Sequence, residues 1–335
     1  MGTSTKIEWT DATWSPVVGC LHVSPACDNC YAERMARRQV EMGNYDPKVM
    51  SHESEGHWSG QVQLFPDRLT DPLGWRKPRR IFVVSMGDLF HDGVMLGDIY
   101  KVLAVATLAP RHAFQILTKR PERMARTLRT ISDNPGKWLS DAAAEIGGDE
   151  AGCFVANYIN GVSKPKERPD NNPGDGTVRR WPLPNVWLGV TAEDQERFDE
   201  RWPILAQCSA AVRFISYEPA LGPLDMHMGN NLGDNDSAVG WSPCGNGGTW
   251  HEHPLGDTCN RAPAPDWVIA GGETGPGARP AQAEWFRWLR EQAHAAGARF
   301  FYKGAGTATM KKSDPSYNLL DGREWREFPK ESDRG

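Results

Sequence analysis

Residues 185–194 read NVWLGVTAED, a short run of apolar, β-branched and aromatic residues that ends in charged residues. Five other segments follow the same pattern: RIFVVSMGDLFHD (80–92), AFQILTKRP (113–121), VRFISYEPALGP (212–223), DWVIAGGETGPG (266–277) and RFFYKGAG (299–306). Their apolar residues are continuous rather than alternating, which is typical of strands covered on both faces, as in a parallel sheet. The pattern therefore predicts about six buried parallel strands.

Helical patterns lie between several of these segments. They are LGDIYKVLAVATLAP (96–110), AEDQERFDERWPILAQ (192–207) and AEWFRWLREQAHAAG (283–297), and the last ends in Gly297, a common helix stop. Strand, helix and strand repeated at this spacing indicate βαβ units. We predict one α/β domain over 1–335, a (β/α) barrel with loop insertions at about 43–79, 133–183 and 225–265.

Each predicted strand is followed by a charged residue. Parallel strands place their carboxyl ends at one edge of the sheet, and in β/α barrels and open parallel sheets this edge carries the active site. A single charge of this kind is usually a solvated loop residue, but six strands that end alike predict a polar ring over an apolar barrel. The ring consists of Asp88, Lys119, Glu193, Glu218, Glu273 and Lys303.

The composition is that of an ordinary globular protein. The 335 residues are 39% hydrophobic and 24% charged, and the formal net charge of -5 argues against a wholly basic nucleic-acid coat while allowing a local basic patch. No apolar run approaches the roughly 20 residues that span a bilayer, and the N-terminal MGTSTKIEWTDATW has no apolar signal-peptide core. We expect a cytoplasmic protein without a membrane partner.

Three of the seven cysteines lie close together in GCLHVSPACDNCYAERMARR, residues 19–38. Cys20, Cys27 and Cys30 have the spacing C-x6-C-x2-C, which in a reducing compartment indicates metal or redox chemistry rather than disulfides. Three thiolates could bind three irons of a [4Fe–4S] cluster, or a zinc ion completed by His22 or a distant residue. Three unliganded thiols are the remaining alternative.

The position of the cysteines favours a functional metal. They follow TWSPVVG (13–19), a predicted first strand, and precede a helix that begins near Tyr31. This places them in the first strand-to-helix loop, at the edge that carries the predicted ring of charges. We expect the ring residues from Lys119 onward to converge on one cavity with the cysteine loop at its mouth.

Two further groups of residues each allow a functional and a structural interpretation. Cys244, His251, His253 and Cys259 form C-x6-H-x-H-x5-C in a Gly-rich insertion, which is either a second metal site, for zinc, or a loop with scattered polar residues. The basic WRKPRR (75–80), with Trp58 and Trp75, is compatible with phosphate contacts and base stacking, and equally with solvated surface and core packing.

In order along the chain, TWSPVVGCLHVSPACDNCYAERMA, SMGDLFHD, LTKRP, WLGVTAED, FISYEPALGP, GGETGPGARP and FFYKG resemble the phage gene-product 37/68 family. That family is in turn similar to radical S-adenosylmethionine enzymes, which implies a partial, TIM-like (β/α) barrel. The usual cysteine spacing in that superfamily is C-x3-C-x2-C, whereas the first gap here is six residues, and Asn29 stands where an aromatic residue commonly precedes the last cysteine.

The resemblance also implies a chemistry and a set of residues. Cys20, Cys27 and Cys30 would hold a [4Fe–4S] cluster that binds S-adenosylmethionine and, on reduction by an electron-donor protein, releases a 5′-deoxyadenosyl radical. MGD matches in position a Gly-Gly-Glu-like turn that contacts the methionine amino group, so Gly87 and Asp88, with Thr191 and Glu193 after the fourth strand, are the predicted cofactor-binding residues.

The predicted catalytic residues are the ring members Lys119, Glu218, Glu273 and Lys303, and the predicted substrate is a nucleic acid or nucleotide in a phage or prophage context. Two alternatives stay open. One is a zinc-containing nucleic-acid-binding phage accessory protein without catalysis. The other is a non-radical barrel enzyme with structural zinc.

Overall fold

The computed structural model describes residues 5–51, 57–160, 180–226, 240–243, 250–253 and 263–329. Its centre is one curled sheet of seven parallel strands, a half-barrel flanked by helices. This confirms the predicted α/β partial barrel, with one strand more than six. In spatial order the strands are β1 (Ala12–Trp14), β4 (Arg80–Val83), β5 (Ala113–Thr118), β6 (Val186–Thr191), β7 (Val212–Tyr217), β10 (Trp267–Gly271) and β11 (Arg299–Gly304).

Both faces of the sheet are buried, which explains the continuous apolar runs. Along β6, Leu188 and Val190 belong to the large core beneath the helices, whereas Trp187 points to the other face and joins a second core of aromatic residues. Gly189 also belongs to this face, where a Cβ atom would lie 2.4 Å from the Phe214 ring, so glycine leaves the space that the ring fills.

The helices connect strands that are neighbours in the sheet, as parallel pairing requires. The three predicted helices are confirmed, and α1 begins at Tyr31 as expected. The bounds are α1 (Tyr31–Glu41), α2 (Asp71–Gly74), α3 (Leu96–Leu108), α4 (Pro121–Asp133), α5 (Pro135–Ile159), α6 (Gln195–Ala206) and α7 (Ala283–Ala295). Among the described residues, no helix combines the length and apolarity that crossing a membrane requires.

The predicted first strand is divided into two short elements. β1 belongs to the main sheet, whereas β2 (Val17–Val18) leaves it and pairs antiparallel with β3 (Gln63–Leu64). At Gly19 the backbone φ is +113° and a Cβ atom would lie 2.2 Å from the Gln61 carbonyl oxygen, so only glycine fits. This turn delivers the next residue, Cys20, to the carboxyl edge of the sheet.

The insertions differ from one another. Residues 43–79 hold two 3-10 turns, β3 and α2, and most of 133–160, predicted as part of a loop insertion, is the helix α5. The Asn134 side chain accepts a hydrogen bond from the Lys137 amide at 3.1 Å and so caps α5, which packs beside α3 with Tyr100 and Trp138 ring centroids 5.8 Å apart. Within 225–265 the structure describes β8 (Gly240–Pro243) and β9 (Trp250–His253), which pair antiparallel.

Candidate metal centre at the carboxyl edge of the sheet

The three predicted metal ligands lie in one loop between β2 and α1. Cys27 is buried at the end of a 3-10 turn that begins at Pro25, and Cys20 and Cys30 are half-buried. Cys30 directly precedes α1, so the amino-terminal end of that helix points its free amides toward the thiol region. All three thiols are free of disulfides. The loop therefore presents three reduced cysteines above the sheet.

The Asp88 carboxylate, which follows β4, is buried and bonded on both oxygens. Oδ1 accepts from the Phe90 amide at 2.9 Å, and the Thr118 hydroxyl lies 2.8 and 2.9 Å from the two oxygens. Oδ2 also accepts from the Lys119 amide at 3.1 Å and from Arg120 Nη1 at 3.0 Å. Asp88 thus joins the ends of β4 and β5, and a cofactor amino group would have to displace one of these bonds.

Arg120 connects the Asp88 carboxylate to the cysteine loop. Its Nη1 lies 3.8 Å from Cys20 Sγ, and its Nη2 donates to the Leu21 carbonyl at 3.2 Å. Burial, reinforced by the Asp88 charge, raises the pKa of the Cys20 thiol to about 11, although Arg120 acts in the opposite direction. Metal binding at Cys20 therefore requires release of a proton.

Glu193, which follows β6, contacts the cysteine loop near Cys27. The residue is fully buried, its Oε2 accepts from Arg201 Nη1 at 3.1 Å, and its Oε1 lies 3.4 Å from the Ala26 amide, next to Cys27. Arg201 is buried as well, and its Nη1 donates to the Thr191 carbonyl at 2.8 Å. The ion pair thus links β6, α6 and the cysteine loop.

Glu273, which follows β10, contacts the cysteine loop at Asn29. Its Oε1 accepts from Arg279 Nη2 at 2.6 Å, and its Oε2 accepts from Arg279 Nε at 2.9 Å and from Asn29 Nδ2 at 3.0 Å. Arg279 also donates to the Pro25 carbonyl at 2.9 Å and to Asp28 at 3.2 Å. Burial acts to raise the pKa of Glu273, but the Arg279 and Asn29 hydrogen bonds outweigh it and lower that pKa.

The glycines of GGETGPG allow this close approach. Gly275 and Gly277 have φ values of +104° and +74°, and Cβ atoms there would lie 2.6 Å from Arg34 Nη2 and 3.0 Å from Asn29 Oδ1. Asn29 Nδ2 donates to the Gly277 carbonyl at 2.9 Å. Asn29 is therefore one of the residues through which this loop contacts the cysteine segment.

Lys119 carries an ammonium whose pKa responds to all three thiols. Burial acts to lower the pKa of its ammonium, but Cys27, Glu193, Cys30 and Cys20 outweigh burial and raise that pKa. The ammonium therefore interacts favourably with the ionised thiols and with the Glu193 carboxylate. It would therefore offset negative charge that develops when the thiols ionise.

Glu218 and Lys303 form an ion pair with each other. Glu218 directly follows β7, and its side chain is 19% exposed. Lys303 lies in β11, and its side chain is 25% exposed. Tyr31 is 43% exposed as a residue. Partial desolvation of its phenol, together with the charges of Cys30 and Glu218, raises the Tyr31 pKa, and the phenol donates to the Ser85 carbonyl at 2.8 Å. The pair thus lies on the Tyr31 side of the loop.

The structure therefore brings Asp88, Lys119, Glu193 and Glu273 to the cysteine loop, with the Glu218–Lys303 pair on its Tyr31 side. Thr191 is buried and takes part through its carbonyl, and Gly87 packs against Gly19, whose carbonyl oxygen would lie 2.6 Å from a Gly87 Cβ atom. Cys244 and Cys259 lie outside the described residues, as do the side chains of His251 and His253.

Sequence reasoning missed the arginines that complete these contacts. Arg120 was visible within LTKRP directly after a strand. Arg201 occupies the apolar side of α6, three residues after Phe198 and next to Trp202, and a charge in such a position signals a buried ion pair. Trp58, considered for base stacking, is buried in a small core beside the loop, so it is not available for that role.

The described residues thus form a half-barrel of parallel strands with a loop of three cysteines at its carboxyl edge. The chain belongs to the DUF5131 family, described as proteins of unknown function, which it matches over residues 4–329. No curated protein and no solved structure matches the chain.

Proposed function

We propose that the protein is a radical S-adenosylmethionine enzyme whose [4Fe–4S] cluster is held by Cys20, Cys27 and Cys30. The observation that carries the proposal is the loop itself. Three reduced thiols lie at the carboxyl edge of a parallel half-barrel, and three carboxylate–arginine pairs hold the loop there. Enzymes built on parallel α/β folds place their reactive groups at this edge.

A cluster, rather than a single zinc ion at the cysteines, is proposed from the resemblance to radical S-adenosylmethionine enzymes. Within the described part of the chain, the three thiols do not form a group of ligand atoms close enough to share one ion. A tetrahedral zinc ion with ligands at 2.3 Å would need sulfurs about 3.8 Å apart. In a cluster each thiolate binds a different iron, so the sulfurs stand farther apart. His22, considered as a fourth zinc ligand, has its Nε2 3.0 Å from Glu33 Oε1 instead.

The chain's own residues would orient and insulate this site. The cluster, when reduced, would supply the electron that cleaves S-adenosylmethionine. Arg120 offers an N–H to the Cys20 sulfur, and such bonds tune iron–sulfur potentials. Because both Asp88 oxygens are engaged, we assign Asp88 to holding Arg120. Lys119 and the Glu218–Lys303 pair remain the residues proposed to contact cofactor or substrate.

A nucleic acid or nucleotide is the proposed substrate, and an electron-transfer protein is the proposed reductant. This part of the proposal rests on the resemblance to phage-associated proteins and on basic segments such as WRKPRR.

The test is anaerobic reconstitution with iron and sulfide, reduction with dithionite and measurement of 5′-deoxyadenosine from S-adenosylmethionine. The proposal expects slow release by the wild type and by Cys153→Ala, whose cysteine is exposed and away from the loop. It expects no release by Cys27→Ala. A brown, reduced wild-type protein that never cleaves S-adenosylmethionine, with or without nucleic acid, would overturn the proposal. A protein that stays colourless after reconstitution and binds zinc through Cys20, Cys27 and Cys30 would favour the nucleic-acid-binding alternative.

A further inference from the structure

A second group of potential ligands lies beside the cysteine loop but does not include its sulfurs. His22 Nε2 lies 3.0 Å from Glu33 Oε1, and His57 Nδ1 lies 3.3 Å from Glu33 Oε2. The three ligand atoms are all within 4.8 Å of one another. The three residues come from the cysteine loop, from the first turn of α1 and from the 43–79 insertion, so the fold brings together residues that are distant in sequence.

The Glu33 carboxylate is buried and faces two imidazoles. Its side chain is 6% exposed, and within the described residues its polar contacts are the two imidazoles and the Trp58 amide, which donates to Oε1 at 2.6 Å. A buried carboxylate needs compensation of its charge. A divalent cation between the three groups would provide it.

The geometry and the chemistry of the donors match zinc. Ligands at about 2.0–2.1 Å in a tetrahedral shell stand roughly 3.3 Å apart, close to the 3.0 and 3.3 Å that separate the imidazole nitrogens from the carboxylate oxygens. Two histidines and one carboxylate leave a fourth position for water. The Trp58 amide orients the carboxylate, as outer hydrogen bonds do around metal ligands.

We propose that His22, Glu33 and His57 bind one zinc ion, separate from the cluster site and independent of the proposed function. The side chains of His22 and His57 are 31% and 51% exposed, so the ion has access from solvent. Bound there, zinc would join the 43–79 insertion and α1 to the cysteine loop. The ion would therefore restrain the segment between Cys20 and Cys27.

The experiment is a zinc titration of the full chain after treatment with a chelator, in a background in which Cys20, Cys27 and Cys30 are all serine. This background removes the thiols as competing ligands. We expect one zinc per chain, with affinity at least about tenfold lower in Glu33→Gln and in His57→Gln. His294→Gln is the matched control, because its imidazole faces Glu327 at 3.2 Å without a second histidine or a buried carboxylate.

Cobalt(II) provides a second measurement that does not depend on affinity. Cobalt at this site should show d–d bands without a sulfur-to-metal charge-transfer band, even when the three cysteines are present as thiols and only one equivalent is added. Absence of zinc binding, or equal affinity in the wild type and both variants, overturns the proposal. The exposed His57 keeps the test decisive if Glu33→Gln fails to fold.

Discussion

The strand-end charges divide into two groups that differ in burial and in partners. Asp88, Glu193 and Glu273 are each at most 5% exposed, and each is paired with an arginine within the site. Glu218 and Lys303 are more exposed, and their ion pair is with each other. The first group contacts the cysteine loop directly or through its arginine, whereas the second group only borders it.

The difference indicates two kinds of role. A guanidinium donates through several N–H groups in a fixed plane, so one arginine can satisfy a buried carboxylate and also bond a loop carbonyl. Such carboxylates position the thiols. A lysine–glutamate pair that is partly exposed can exchange partners at little cost, because solvent screens its charges. Glu218 and Lys303 are therefore the less constrained of the two groups.

The largest expected effect is on the buried pair of Glu193 and Arg201. Glu193→Gln leaves the guanidinium buried without its counter-charge, and we expect the free energy of unfolding to fall by about 3–5 kcal/mol in urea titrations. Glu200→Gln is the matched control, since Glu200 is 47% exposed and lies 4.0 Å from the same arginine. The double variant Glu193→Gln/Arg201→Met should recover most of the loss. A loss below 1 kcal/mol in Glu193→Gln would remove this pair from the first group.

Glu273→Gln should have a smaller effect on folding and a clear effect on metal retention. It weakens the two-point contact with Arg279, so we expect about 1–3 kcal/mol less stability and iron loss to a chelator about 10- to 100-fold faster. Asp28→Asn removes a 61%-exposed partner of the same arginine and is the control. Equal iron-release rates in the two variants would show that Glu273 does not hold the loop.

Glu218→Gln and Lys303→Met should change function more than folding. We expect unfolding free energies within about 1 kcal/mol of the wild type and 5′-deoxyadenosine formation about 100-fold slower. The control is Glu284→Gln, which disrupts a surface pair with Arg287 on α7. Full activity in both variants would place the Glu218–Lys303 pair outside the working site.

The smallest expected effect is a pH dependence of stability that belongs to the first group. The folded-state pKa of Glu273 is lowered, so its ionised form favours the folded state. Its contribution is complete above the unfolded-chain pKa of about 4.3 and is lost as the pH falls toward the folded-state pKa. Acid titrations of the free energy of unfolding should show a shallower decline in Glu273→Gln. Superimposable pH profiles would contradict this assignment.

The sequence was sufficient for the frame of this site but not for its internal contacts. Strands such as β6 were predictable because burial on both faces leaves a continuous apolar run. Helix α5 was not, because Gly147 and Gly148 break its backbone and its periodicity. The charged residues at the strand ends were predictable because they follow these apolar runs. Their division into two groups depends on side-chain contacts such as the one between Glu273 and Asn29, which are 244 residues apart.

The His22–Glu33–His57 group illustrates the same limit. His22 was considered as a companion of the cysteines because it lies between them in sequence. The pairing of β2 with β3 and the bridge between Met50 and Trp58 help to fix the insertion that carries His57. A ligand set assembled from three separate segments has no spacing pattern to reveal it.

The central claim is that Cys20, Cys27 and Cys30 together hold one [4Fe–4S] cluster at the carboxyl edge of the half-barrel. Its most direct test is the iron and sulfide content, with the visible spectrum, of anaerobically reconstituted wild type and single alanine variants. We predict about four irons per chain in the wild type, in Cys153→Ala and in Cys208→Ala, and loss of most iron and colour in each of the three loop variants. Full iron content in the triple variant Cys20→Ala/Cys27→Ala/Cys30→Ala would contradict the claim.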